Sequence, residues 1–150
     1  MPSYRSNVQE VLGRLKNQLA QVDGPVLSKI TRTIATTLVA SNVRRIHNDG
    51  RAVDGSDIGH YKSKSYEEIR IKKGKRVDKV NLDFTGKLSK EFTIEADTQG
   101  IGVGFSTPYG ANLQDNLEEK YGKKIWGTTM EDENTNQQIA IGELNKAFNG

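Results

Sequence analysis

Residues 82–117, LDFTGKLSKEFTIEADTQGIGVGFSTPYGANLQDNL, restrict the possible folds more than any other part of the chain. Phe92, Ile94 and Ala96 alternate with Thr93, Glu95 and Asp97. After Thr98-Gln99-Gly100, Ile101, Val103 and Phe105 alternate with glycines and Ser106. Two period-2 runs joined by a short glycine-containing turn predict a β-hairpin. Ahead of it, Thr85-Gly86 opens a short helical turn over Lys87–Glu91. Behind it, Pro108 closes the second strand, and Tyr109, Leu113 and Leu117 share one face of a helix ending near Tyr121-Gly122.

Helical spacing dominates on both sides. Val8, Val11, Leu12, Leu15, Leu19 and Val22 predict an amphipathic helix over residues 4–22. Asp23-Gly24-Pro25 breaks it and starts a second, from about Pro25 to Ile46. Its stripe is Leu27, Ile30, Ile34 and Leu38, then Val39, Val43 and Ile46. The interior of this helix is rich in Thr and Ser, mediocre helix formers, so packing must hold it. At the other end, Thr128-Thr129-Met130-Glu131 fits a capping box with Thr128 as N-cap and Glu131 at N3. The helix it starts carries Gln137, Ile141, Leu144 and Phe148 at helical spacing. The chain is therefore read as one α+β domain over residues 1–150. It has N-terminal helices, a small antiparallel β-sheet with a central hairpin, and further helices towards the C-terminus.

Residues 47–81 break this pattern. They hold two Asp-Gly pairs, few large apolar residues and no sustained period. Tyr66–Lys72 hints at a strand, with Ile69 and Ile71 on one side, turning at Lys73-Gly74-Lys75 towards Val77 and Val80. The segment is read as an extended basic arm or loose hairpin, because so long a loop is usually functional or ordered by partners. Its cations are Lys62, Lys64, Arg70, Lys72, Lys73, Lys75, Arg76 and Lys79, against Glu67, Glu68 and Asp78. Such a run can neutralise phosphates. With only Tyr61 and Tyr66 nearby it lacks the aromatics that read bases, so contact with nucleic acid would be nonspecific.

Composition narrows the classes. The chain is 34% hydrophobic and 27% charged, with a mean hydropathy of −0.67, a thin supply for a lone 150-residue core. Long exposed segments, or burial supplied by partner subunits, would account for it. Residues 1–90 hold 18 Lys/Arg against 9 Asp/Glu, and residues 91–150 hold 4 against 10. Net charges of +9 and −6 suit opposite faces that meet different partners, or copies arranged head to tail. No run approaches the roughly 18 apolar residues of a membrane span. MPSYRSNVQE lacks the apolar region of a signal peptide, and there is no cysteine, so manufacture inside the cell is expected.

No catalytic chemistry emerges. His47 and His60 bracket Asp49, Asp54 and Asp57, yet the calcium-loop pattern is unmet and no paired histidines share a helix face. Gly100, Gly102 and Gly104 have strand spacing rather than the GxGxxG of a phosphate loop. Ser106 lies in GFSTPYG, which is no nucleophile elbow. No catalytic group, cofactor or metal is expected.

The order of elements, with RIHNDGRAVDGSDIGHYKS, FTGKLSKEF, FTIEADTQGIGVGFS and PYGANLQ, resembles tailed-phage head–tail joining or tail-completion (neck) proteins, the Mu-like virion morphogenesis group. Asp54-Gly55, Thr85-Gly86-x-Leu88, Tyr109-Gly110-Ala111 and Gly122 fall at the places of that group's short motifs, over roughly residues 25–130. No Trp follows Asp54-Gly55, and Lys124-Ile125-Trp126-Gly127-Thr128 replaces a frequent Arg-Pro-Phe. The resemblance implies a non-enzymatic virion subunit, assembled in the host cytoplasm into a ring of six copies between the portal-side connector and the tail. The basic arm would then face packaged DNA or clasp a neighbour. Alternatives are a tail terminator, a head-closure protein, or a small nonspecific nucleic-acid-binding protein.

Overall fold

A helix with its apolar residues three and four apart can bury one stripe, and residues 24–43 do so. In the computed structural model, which describes residues 24–83, 85–97 and 100–149, Gly24–Val43 forms α1. The helix expected over 4–22 and the turn at Thr98-Gln99 lie outside the described residues. Ile30, Ile34, Ala35 and Leu38 of α1 are fully buried. Its threonines satisfy themselves: Thr31, Thr33, Thr36 and Thr37 each donate a hydroxyl to the carbonyl four residues back, at 2.8–2.9 Å. The expected continuation to Ile46 changes character. Arg44–Asn48 widens into a π-turn, with Asp49 N–H on the Arg44 carbonyl at 3.0 Å.

The hairpin is as expected. Phe92–Asp97 (β1) pairs antiparallel with Gly100–Phe105 (β2), placing Phe92 opposite Phe105 and Ile94 opposite Val103. These four therefore share one face. Phe92 and Phe105 meet edge to face at 5.3 Å, and Phe105 meets Trp126 at 5.2 Å. α1 packs against both strands and, on another side, against the C-terminal helix α5, Met130–Asn149. Between them, Lys87–Glu91 (α3) precedes β1, and Pro108–Tyr121 (α4) follows β2. Thr107 Oγ1 caps α4 by accepting from Gly110 N–H, and Gly122 ends it in the left-handed conformation at φ 64°.

Three expectations need correction. The strand suggested over Tyr66–Lys72 is a helix, α2, Lys64–Lys72. Ser63 Oγ accepts from Tyr66 N–H as its cap, and Gly74 at φ 68° ends it in a Schellman pair, with Lys75 N–H on Arg70 O and Gly74 N–H on Ile71 O. Ile69 and Ile71 face outwards, and the buried member of the helix is Arg70. The capping box of α5 is one residue later than expected: Thr129 and Asp132 exchange hydrogen bonds at 3.0 and 2.9 Å. The face expected to be buried also differs: the buried residues are Asp132, Asn136 and Ala140, while Ile141 and Phe148 are exposed.

Two polar side chains tie loops to this frame. Asn42, fully buried, donates to Leu38 O and accepts from Arg45 Nη2 and Gly127 N–H at 2.9–3.0 Å. Glu118 on α4 accepts from the amides of both Ile125 and Trp126. Together they hold the 123–129 connection so that Ile125 and Trp126 enter the core. Buried amides without such partners would each cost about 1–3 kcal/mol.

Candidate functional site

The 58–63 segment, α2, α3 and α4 enclose a cleft of about 880 Å³. Its walls are aromatic and aliphatic, with Tyr61, Tyr66, Tyr121, Leu88, Leu113 and Leu117 on the lining. Lys62, Lys87 and Lys120 stand around it. Lys87 lies over the Tyr109 ring at 4.7 Å and Lys120 over the Tyr121 ring at 5.3 Å.

Arg70 forms part of the lining, although only 1% of it is exposed. Its guanidinium lies 4.5 Å from the Tyr61 ring and 5.8 Å from that of Tyr66. Nε donates to Arg76 O at 2.9 Å and Nη2 to Asn81 Oδ1 at 3.0 Å. Asn81 is itself buried, and its Nδ2 donates to His47 O while its own carbonyl faces His47 Nδ1 at 2.9 Å. A carbonyl only accepts, so Nδ1 of His47 carries a proton. Leu82 follows in the left-handed conformation, at φ 53°. One network thus fixes α2, the 76–83 strip and the end of α1 relative to one another.

Burial pushes the His47 pKa below its usual 6.5, against the opposing pull of the Asn81 backbone and the Asp83 carboxylate. The unfolded chain therefore binds a proton that the native chain resists. Stability present above about pH 6.5 is expected to fall as pH drops from there through the lowered native value. Urea unfolding at pH 8 and pH 5 measures the loss, and His47→Gln is expected to remove this component of it.

The sequence-predicted residues divide sharply. Of the arm cations, Arg70 is buried. Arg76 grips Asp78 in a two-pronged ion pair at 2.6 and 2.7 Å, which holds the Asp78 carboxyl at about 2. Lys75 pairs with Asp83 and Lys79 with Asp57. Lys62, Lys64, Lys72 and Lys73 are exposed and, among the described residues, engage no carboxylate. The motif positions are turns and close contacts. Asp54 accepts from the amide and hydroxyl of Ser56, with Gly55 at φ 84°. Gly86, at φ 79°, starts α3. A Cβ on Gly110 would stand 2.7 Å from the Phe105 ring, so only glycine lets α4 sit this close to β2. Thr85, Gly86, Leu88 and Tyr109 also line the cleft, whereas Asp54, Gly55 and Ala111 do not. His60 faces the Asp78 carbonyl at 3.1 Å. No group of three or more metal-ligating side chains occurs among the described residues, and no described helix is long and apolar enough to cross a membrane.

Sequence reasoning missed the cleft and the role of Trp126. Tyr61, Tyr66, Tyr109 and Tyr121 are spread over 61 positions, and only the tertiary fold gathers them in one lining. A basic aromatic cleft beside exposed Ile69, Ile71 and Tyr109 has the composition of a protein-contact surface. The fold is that of a small, mostly helical α+β protein. The chain belongs to the phage virion morphogenesis family, whose model matches residues 5–138. Neither curated proteins nor solved structures give a match.

Proposed function

We propose that this virion morphogenesis protein is a ring subunit of the neck, a tail-completion protein that joins the DNA-filled head to the tail and has no catalytic activity of its own. The observation that carries the reading is a thin core that leaves Ile69, Ile71, Tyr109, Met130, Ile141 and Phe148 exposed. Burying such side chains against neighbouring copies stabilises by roughly 25 cal/mol per Å² of apolar surface removed from water. The charge division between residues 1–90 and 91–150 supports head-to-tail neighbours. Six copies between the portal-side connector and the tail are what the family resemblance implies, with a tail-terminator or head-closure position as the alternative.

Phage carrying a nonsense mutation in this gene are expected to accumulate filled heads and tails that do not join, as seen by electron microscopy of lysates. Joined, infectious particles at wild-type yield would contradict the reading. Lys62, Lys64, Lys72 and Lys73 favour a second role, nonspecific contact with packaged DNA. Replacing Lys72 and Lys73 by glutamine is expected to lower the log–log salt slope of DNA binding by about 2. An unchanged slope would place DNA elsewhere.

A further inference from the structure

Met130 is the most exposed large apolar side chain among the described residues, at 82%. It begins α5, followed by Glu131, Asp132 and Glu133. Glu131 is exposed, while Asp132 turns inwards to Thr129 and Ser41. The result is an apolar knob with negative charge beside it. The cleft is its complement: tyrosine and leucine walls, with Lys62 and Lys120 in the lining as cations and the one lining carboxylate, Glu91, paired with Lys87. A flexible thioether packs well against aromatic rings, and charges of opposite sign at the rim steer and orient the approach.

No residue of α1 or α5 lines the cleft, so knob and cleft are separate surfaces of one molecule. Two copies that meet knob into cleft make a heterologous contact. Each such pair still carries a free knob at one end and an open cleft at the other. Contacts of this kind propagate, and they close into a ring when the rotation between copies permits. The other exposed apolar side chains of α5, Ile141 and Phe148, lack this complementarity. Their charged neighbours are Glu143, already paired with Lys29 and Lys146, and Lys146 itself. Both knob and cleft fall within the matched residues 5–138, whereas Ile141 and Phe148 do not.

We infer that the cleft is the acceptor half of the contact between copies of this chain, filled by Met130 of a neighbour with its Glu131 against Lys120 and Lys62. The inference rests on the ring-subunit reading and specifies which surfaces build the ring. The chain has no cysteine, so single thiols can be placed without background. Full-length protein carrying both Met130→Cys and Tyr109→Cys, treated with a short bismaleimide in purified virions, is expected to give a ladder ending in one closed species. Either variant alone should give no ladder. Lys120→Glu should weaken association about tenfold or more, and Glu131→Lys added to it should restore association. That charge swap does not depend on the cysteine variants folding, and thermal melts check each protein. Virions that hold the ring yet give no ladder, with Lys120→Glu without effect, would overturn the inference and leave the ring reading intact. Loss of a different virion protein on Lys120→Glu, with copies still associated, would assign the cleft to that other chain and also overturn it. Absence of the protein from virions would instead remove the ring reading itself.

Discussion

Replacing Trp126 by alanine is expected to destabilise the protein by about 4 kcal/mol, a loss of roughly 2 M in the urea midpoint. The side chain is only 1% exposed, and its ring closes the aromatic row Phe92–Phe105–Trp126. Removing it leaves a cavity between the hairpin and the 123–129 connection. Asn42 on α1, Arg45 in the π-turn and Glu118 on α4 hold that connection from elsewhere, so it is not free to collapse into the space. Trp126→Phe should recover a large part of the loss. A midpoint for Trp126→Ala within 0.5 kcal/mol of wild type, on the order of a surface substitution, would show that the loop does not plug the core as described.

The second large effect concerns Arg70. Arg70→Met is expected to cost about 3 kcal/mol, because the half-buried Arg76 O loses its donor, Asn81 Oδ1 is left with Asp83 N–H alone, and the buried fork that joins them is gone. The tyrosine faces also lose their cation. Arg70→Lys should rescue little, since a point charge on a flexible stem cannot meet two acceptors with the fork geometry of a guanidinium. Combined with Asn81→Ala, the losses should be sub-additive by about 1 kcal/mol or more, the signature of one shared network. Strict additivity, measured by urea unfolding of the four proteins, would break that network into independent contacts.

How much of this was legible in the sequence depends on whether the signal was local. The hairpin and α4 were, because alternation, Pro108, Thr107 and Gly122 each act within a few residues. α2 was not. Tyr66, Ile69 and Ile71 look like a strand in isolation, but among the described residues no partner strand reaches them, and the Ser63 cap with the Gly74 stop decides for a helix. The face of α5 was misphased because its buried positions include the polar Asp132 and Asn136, which an apolar count passes over. The motif positions were found through the family resemblance, but the meeting of Thr85, Gly86, Leu88 and Tyr109 at one cleft was not. That convergence needs the pairing of Val80 N–H with Gly59 O and the buried Arg70 that joins α2 to Asn81. Counting charges along residues 62–79 likewise treated Arg70 as a surface cation, when its partners are carbonyl oxygens and aromatic faces.

The central claim is that this family member works as an assembled ring at the head–tail junction. Cryo-electron microscopy of intact virions, with the protein located by a tag on the C-terminus, tests it most directly. The account predicts a closed ring of identical subunits in the neck density, with the start of α5 of each copy seated in the Tyr61–Tyr121 cleft of the next. A joined particle whose neck holds no copy of this chain would contradict it.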